Sequence, residues 1–532
     1  MTKSNNLAFQ FILFLLYSFL WAASADPHQD FITCCLQKSS DPVAFSRVIS
    51  TPQTSSYSSI LNVTVQNLRF TLPNTPKPRV IITPDRDSQI QTAIRCSKKH
   101  GLQIRILSGG HDFEGSSYVS DVPFFVLNMF NYRSVSVDAK SRTAWVGAGA
   151  TLGETYYNIV KTNRSLAFPG GYYPQIGIGG HVSGGGYGCL LRKFGLAADN
   201  VLDARVIDAN GRILNRKSMG EDLFWAIRGG MGASFAVILE YRVRLVEISK
   251  ELTAFRLLKT LETNATDLVH KWQYVAPNLS ENLLLELSLT VIQSNQTGKR
   301  TVQATFVTLF EGGADELVSI MDEQFPELGL VKKDCIQLSS WVEFIIYFYG
   351  RPLELTDSLL TSRVSLNPKS YFKSKSDFIQ KPIPKQGIQK LWDMMLKIDF
   401  PALLMNWTPL GAKMAEIPES EIPFPHRAGN IILVYEKIQW MGTDPKLMQQ
   451  RIALIREFHS LMGEFVDNDP RAAYADYRDL DLGVNNVGKT SVEQARIWGA
   501  QYFKNNFDRL VKVKTMVDPH DYFKNEQSIP PL

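Results

Sequence analysis

The sequence is short of several things at once. Its 532 residues include only five cysteines and eight histidines. No Cys-x-x-Cys pair and no clustered Cys/His spacing occurs, so nothing points to a metal site. Basic and acidic residues number 57 and 52, and the net +5 is spread along the chain. Without a run of Lys and Arg there is no footprint for nucleic acid. No G-x-G-x-x-G stands in a β-α-β setting, which argues against a Rossmann dehydrogenase. There is no internal repeat and no low-complexity segment. Beyond residue 22 no apolar run approaches the about 20 residues that a membrane-spanning helix needs.

What is present is globular: 44% hydrophobic and 20% charged residues, and length for two or three domains. Residues 8–22 are almost continuously apolar and follow Lys3. Ala23-Ser24-Ala25 then offers the small residues of a cleavage site. This predicts a signal peptide removed after Ala25, hence secretion to the cell exterior, cell wall or vacuole. Six N-x-S/T sequons begin at Asn62, Asn163, Asn264, Asn278, Asn295 and Asn406, each a glycosylation candidate in a secreted chain. An odd number of cysteines leaves at least one thiol unpaired.

Hydrophobic periodicity divides the remainder. Residues 26–73 form a helical lead, with a helix over 30–37. Residues 74–248 open as strand 79–83, helix 85–100 and strand 103–107. Strands 124–127 and 143–146 and helix 151–161 follow, then a hairpin from 201–208 to 213–215, helix 222–227 and strand 235–245. Residues 249–468 mix strands (284–293, 300–310, 430–440) with helices (315–322, 390–395, 445–462). Residues 469–532 form a tail with a final helix. The fold class expected is α+β, with an antiparallel sheet covered on one face in the second large unit.

The most unusual stretch is 168–188, FPGGYYPQIGIGGHVSGGGYG, with nine glycines in 21 residues and no Lys, Asp or Glu. A flexible linker would lack the interleaved Ile176, Ile178 and Val182. So much glycine lets backbone turn sharply or approach a ligand closely. A second such element, Ser108-Gly109-Gly110-His111-Asp112, follows the apolar strand 103–107. Exposed N–H groups of such turns make anion-binding nests, and two nests suit a diphosphate. Residues 483–490 fit the P-loop pattern, but a charged segment precedes them where a buried strand is required.

Five motifs, SGGHDFEGSSY, GGHVSGGGYG, FGLAADNVLDA, GEDLFWAIRGG and YRDLDLG, run in order from the first nest almost to the C-terminus. In these the chain resembles the berberine bridge enzyme-like family of plant flavoproteins, which has the vanillyl-alcohol-oxidase type of FAD fold. Within it, the cannabinoid-acid synthases and the mulberry oxidases and Diels–Alderases look most similar. The resemblance implies a two-part FAD-binding domain over 74–248, a substrate domain over 249–468 and a C-terminal segment that packs back on the FAD domain. It also implies a Cys34–Cys96 disulfide, with adjacent Cys35 as a competitor.

The same resemblance assigns the site. It implies a covalent bond from His111 to the flavin, with Ser108, Gly109, Gly110, Gly177, Gly179, Gly180, His181, Gly184, Gly185, Gly186 and Val237 around the cofactor. His181 would support the ribityl chain and reduced ring, and Gly171 would leave oxygen a path. Most relatives carry a second flavin link through a Cys where this chain has Tyr173, so one link is expected. Relatives often have Arg where Leu107 stands, which removes a charged donor near the diphosphate. On strand 430–440, residues two apart share a face. Tyr435, Lys437 and Gln439 face one way and Val434, Glu436, Ile438 and Trp440 the other. The resemblance places Lys437 and Gln439 in the active site and Tyr477 as a base. A phenol needs nearby positive charge to ionise at neutral pH, which Lys437 would supply and the unusual Asp476 would oppose.

Two activities are implied. One is an FAD oxidase taking a hydride from a small phenolic or prenylated substrate, with oxygen returning the cofactor and leaving as hydrogen peroxide. The other is a redox-neutral Diels–Alderase-type cyclase in which FAD is a wall of the pocket. Small-molecule substrate and oxygen are the partners expected, with a monomeric chain.

Overall fold

The computed structural model describes residues 27–365, 367–398, 402–486 and 488–532. The expected signal peptide lies outside these. Helix α1 (Pro27–Lys38) packs on α2 (Asp87–His100). A disulfide between Cys34 and Cys96 joins them and Cys35 stays free and buried. Closing a loop of this length in the unfolded chain stabilises by roughly 2–4 kcal/mol. Helix α2 buries Ile90, Ala93 and Ile94, places Lys98, Lys99 and His100 in its last turn and ends on left-handed Gly101. Strands β1 (Ile49–Ser50), β2 (Val80–Ile82), β3 (Gln103–Leu107) and β4 (Phe124–Asn128) form a sheet in the order β1-β2-β4-β3. The β2, β4 and β3 pairings are parallel.

A second, antiparallel sheet follows: β5 (Val135–Asp138), β6 (Thr143–Gly147), β8 (Val201–Ile207), β9 (Ile213–Leu214) and β10 (Val237–Arg244), ordered β5-β6-β10-β8-β9. A short ribbon pairs β7 (Leu166–Ala167) with β11 (Val246–Glu247). Helix α3 (Leu152–Thr162) begins on a capping box of Thr151 and Glu154. The glycine-rich stretch is not all loop. Its centre winds into α4 (Ile178–Gly184), which buries Ile178 and Val182.

The third sheet has seven antiparallel strands: β12 (Leu252–Thr260), β13 (Leu283–Gln293), β14 (Arg300–Phe310), β15 (Cys335–Leu338), β16 (Tyr371–Ile379), β17 (Leu403–Pro409) and β18 (Ile432–Trp440). Their order is β15-β12-β14-β13-β17-β18-β16. Helices α5 (Ala265–Val275), α6 (Lys385–Lys397) and α7 (Pro445–Met462) cover one face, where Trp272, Trp392 and Phe458 pack with Leu285, Trp407 and Val434. The other face turns toward the glycine-rich stretch. On the covered face Glu436 lies among charged groups: His459 Nδ1 is 3.3 Å from Glu436 and 3.2 Å from Asp377, and Arg471 grips Asp377 through two 2.6 Å bonds.

The tail returns as α8 (Val492–Phe503) and α9 (Asn506–Val517), whose Trp498, Phe507 and Leu510 share the core of Phe224 and Trp225. Two buried ion networks fasten it. Arg105 of β3 pairs with Glu526 at 2.5 Å. Lys373 and Lys375 of β16 meet Asp479, Asp481 and Glu114. The described residues of the P-loop-like segment 483–490 are tied to the C-terminal turn. The Asn485 amide holds the carbonyls of Asn525 and Ser528.

No helix of the described residues is long and apolar enough to cross a membrane. Five sequon asparagines, Asn62, Asn163, Asn264, Asn278 and Asn295, are exposed. Asn406 is a correction. It sits half-buried in central strand β17, faces the site cavity and accepts the Ser288 hydroxyl at 2.8 Å. A glycan has no room there.

Candidate active site

A cavity of about 510 Å³ lies between the glycine-rich stretch, the turn after β3, the open face of the seven-stranded sheet and residues 474–478. The two glycine elements touch back to back: a Cβ on Gly109 would lie 2.3 Å from the Gly177 nitrogen. This contact holds the nests side by side. The N–H groups of Gly109, Gly110 and His111 have no acceptor among the described residues. A Cβ on Gly180 would meet nothing within 4 Å, so α4 begins against open cavity. Unpaired donors at this turn are what a diphosphate requires, and Gly180 leaves space beside them, while the Ile178 and Gly179 N–H groups are held by the Ala150 and Ala148 carbonyls. The site therefore fits FAD: Ser108, Gly109, Gly110, Gly177, Gly179, Gly180 and Gly184 line it.

His111 lines the cavity, and burial pushes its imidazole down to about 4. A neutral ring has the free lone pair that a bond to carbon needs. Tyr173 meets it edge-on at 5.4 Å between ring centres, and its hydroxyl bonds Ser365. His181 Nε2 accepts the Gly171 N–H at 3.0 Å, and burial holds it too down to about 4.

Other expected positions fall elsewhere. Gly185 and Gly186 lie behind the cavity wall, where the Gly186 N–H donates to Tyr474 Oη at 2.8 Å. Val237 points into the core of Leu127 and Ile207, and its neighbours Ala236 and Ile238 line the cavity. Leu107 is buried among Tyr57, Ile81 and Phe124, so a longer side chain there would not be aimed at the diphosphate. Gln439 is exposed and stands outside the cavity, one step past Lys437 on the same strand face.

Tyr477 lies in a stack. Phe113 is parallel to it, 5.4 Å between ring centres with 10° between planes, and Tyr435 packs at 4.6 Å. Its hydroxyl contacts the Tyr187 hydroxyl. Burial and neighbouring tyrosines hold its pKa well above the ordinary value of 10. Lys437 does not relieve this. Its Nζ sits over the Phe372 ring at 4.6 Å with no carboxylate partner among the described residues, and burial lowers it to about 8. Nor does Asp476 oppose it. That carboxylate turns away, accepting Tyr474 Oη at 2.8 Å and lying 3.9 Å from His181 Nδ1, and burial raises it to about 7.

Several polar groups of the cavity escaped the sequence reading, Tyr172, Tyr187, Thr408 and Glu286 among them. Glu286 is 2% exposed and takes bonds from Tyr172 and Thr408. Its signal was visible, since it is the sole charge in the apolar run Leu283-Leu-Leu-Glu286-Leu287.

Nests for a diphosphate, a neutral histidine at the cofactor end and a phenol-lined cavity at the other define an FAD-binding oxidoreductase. The comparisons agree. Residues 78–216 match the FAD binding domain model and residues 473–530 the berberine and berberine-like model. Tetrahydroberberine oxidase of Argemone mexicana is 45% identical, covering 100% of this chain and 96% of its own. The structure of berberine bridge enzyme-like 28 from Arabidopsis thaliana is 43% identical with a TM-score of 0.88, covering 95% of this chain and 100% of the other. A berberine bridge enzyme variant described as a reticuline dehydrogenase is 35% identical with the same TM-score, covering 94% of this chain and 99% of its own. The chain belongs to the berberine bridge enzyme-like family and is an FAD-linked oxidoreductase.

Proposed function

We propose that the protein is a secreted, glycosylated oxidase of a small phenolic or prenylated plant metabolite, with FAD held covalently through His111 alone. FAD, when bound, supplies the two-electron acceptor that oxygen restores with release of hydrogen peroxide. The chain does the rest. Phe113, Tyr435 and Tyr477 pack into an aromatic cluster on the cavity wall, a surface on which a planar ring can stack. Lys437, with its ammonium at the cavity, orients an electron-rich oxygen. Tyr477 takes the substrate hydroxyl's proton while handing on its own.

The observation that carries this reading is the Tyr477–Tyr187 hydroxyl pair beside the aromatic cluster. A cycloaddition needs enclosure but no proton path, so the pair favours oxidation over the cyclase alternative. The test is anaerobic incubation of the holoenzyme with prenylated phenols, 4-hydroxybenzyl alcohol, tetrahydroberberine and glucose. Loss of the oxidised flavin absorbance with any of them is the expected result. Product formed while the flavin stays oxidised throughout would install the cyclase instead.

A further inference from the structure

We propose that Glu286 ends a proton relay that starts at Tyr477 and passes through Tyr187 and Thr408, so that the proton leaving the substrate comes to rest on the Glu286 carboxylate. The inference rests on the oxidase reading.

The need for a relay arises at Tyr477. Its hydroxyl is surrounded by aromatic rings, and among the described residues no cation lies against it to favour a phenolate. It can therefore accept a proton only by releasing its own in the same event. The route consists of two hydrogen-bonded contacts joined where Tyr187 neighbours Thr408. Tyr477 Oη contacts Tyr187 Oη. The Tyr187 hydroxyl also meets the Thr408 hydroxyl, and Thr408 Oγ1 donates to Glu286 Oε2 at 3.2 Å. The other carboxylate oxygen holds the Tyr172 hydroxyl. Strand register builds the last link: β13 pairs with β17 as Leu287 with Trp407 and Ser288 with Asn406, which sets Glu286 and Thr408 opposite each other on the cavity face.

The acceptor is equally well defined. Tyr172 and Tyr187 reach Glu286 from the glycine-rich stretch, Cys189 from its end, Tyr349 from beyond helix 341–348 and Thr408 from β17. All are uncharged, and Glu286 makes no ion pair among the described residues. An unpaired buried carboxylate is costly, and a glutamine would hold Tyr172 without that cost. Burial raises the Glu286 carboxyl to about 7, within the range where an acid or base works best near neutrality.

The step balances. With FAD bound, the cofactor would take up the hydride of the substrate's C–H, while the O–H proton goes to Tyr477 Oη. The Tyr477 proton moves to Tyr187, that of Tyr187 to Thr408, and that of Thr408 to Glu286. The three hydroxyls end as they began. Glu286 becomes neutral, the substrate has lost two electrons, and the flavin has gained them.

Two measurements on the holoenzyme test this. The first is stopped-flow flavin reduction by 4-hydroxybenzyl alcohol against pH. In the unsubstituted protein the rate should climb as pH passes about 7 and then level. Glu286→Gln should be about 10²-fold slower at pH 8 and flat with pH, and Glu286→Asp should recover part of the slope. Thr408→Val, which keeps shape and leaves the carboxyl in place, should flatten the profile as well. The second needs no substrate. Infrared difference spectra should show a carboxylic-acid carbonyl band that titrates near neutral pH and is missing in Glu286→Gln. Normal reduction with an unchanged pH profile in Glu286→Gln or Thr408→Val would overturn the relay, as would absence of that band. Failure of every donor to bleach the unsubstituted enzyme would strike the oxidase reading instead.

Discussion

Gly184 is pressed against Asp476: a Cβ on the glycine would lie 2.0 Å from the carboxylate oxygen and 3.1 Å from the Asp476 nitrogen. The last residue of α4 and the turn that carries Tyr477 are thus fitted to each other without clearance. Gly184→Ala is expected to push this turn outward. Overpacking of this kind costs about 1–3 kcal/mol. Thermal unfolding should show the loss, and the ratio of flavin to protein absorbance should fall with it.

Asp476 itself gives a pH signature. Its folded pKa of about 7 stands above the ordinary aspartate value of 3.8. Between these values the unfolded chain has lost a proton that the folded chain keeps. Stability is then full below about pH 4 and falls as pH rises through 7, by ~1.4 kcal/mol per unit at most. Asp476→Asn removes this dependence. Its unfolding temperature should pull ahead of the unsubstituted protein's as pH increases from 4 to 7, and the gap should stay level above that. A constant gap over the whole range would show that Asp476 does not titrate there. Glu286 contributes in the same direction in both proteins and drops out of the comparison.

His459 acts at higher pH. Asp377 and Glu436 raise it from 6.5 to about 9 despite its burial. Its folded pKa is raised, so its contribution is complete below about pH 6.5 and is lost as pH passes 9. Unfolding monitored from pH 6 to 10 should weaken across that window. His459→Gln should be less stable at pH 6, where Asp377 keeps Arg471 but Glu436 loses its paired cation, a loss of up to roughly 3–5 kcal/mol. It should also lack the alkaline decline.

The cofactor link is read by mass. Tryptic peptides of the holoenzyme should carry one flavin adduct, on His111, and none on cysteine. His111→Ala should release all flavin on acid precipitation. Tyr173 stands at His111's edge, 5.4 Å away, so Tyr173→Cys places a thiol on the same cavity wall. The double variant His111→Ala, Tyr173→Cys should regain acid-stable flavin. Free flavin in that variant would show that position 173 does not reach the ring.

Glycopeptide mapping of protein from a eukaryotic secretory host should find sugar at some or all of Asn62, Asn163, Asn264, Asn278 and Asn295, and none at Asn406. An occupied Asn406 would be incompatible with its place in β17 facing the cavity.

Much of this architecture could be read from sequence because local pattern and final environment agree. Strands β3 and β14 and helix α7 have the expected bounds. Strand β16 went unseen for a physical reason. It reads Tyr-Phe-Lys-Ser-Lys-Ser-Asp-Phe-Ile, charged enough to suggest a surface, yet every residue is buried. Its lysines are neutralised by Asp479 and Asp481, more than a hundred positions away from Lys373. The site divides the same way. The nests and His111 belong to local motifs and were legible. The direction of Asp476, the seat of Lys437 over Phe372 and the meeting of Tyr187 with Tyr477 depend on how distant segments dock. Alternation along β18 put Tyr435, Lys437 and Gln439 on one face but could not say where the cavity stops, and it stops before Gln439.

The Arg105–Glu526 pair bears on the order in which the protein is made. Arg105 sits in β3, an early strand, and its partner lies 421 residues further on. While the ribosome is still adding those residues, the buried guanidinium has no carboxylate to meet. Tyr477, Asp479 and α9 are also still to come. Translation therefore delivers the cofactor end of the molecule long before it can close, and the finished fold waits for Glu526.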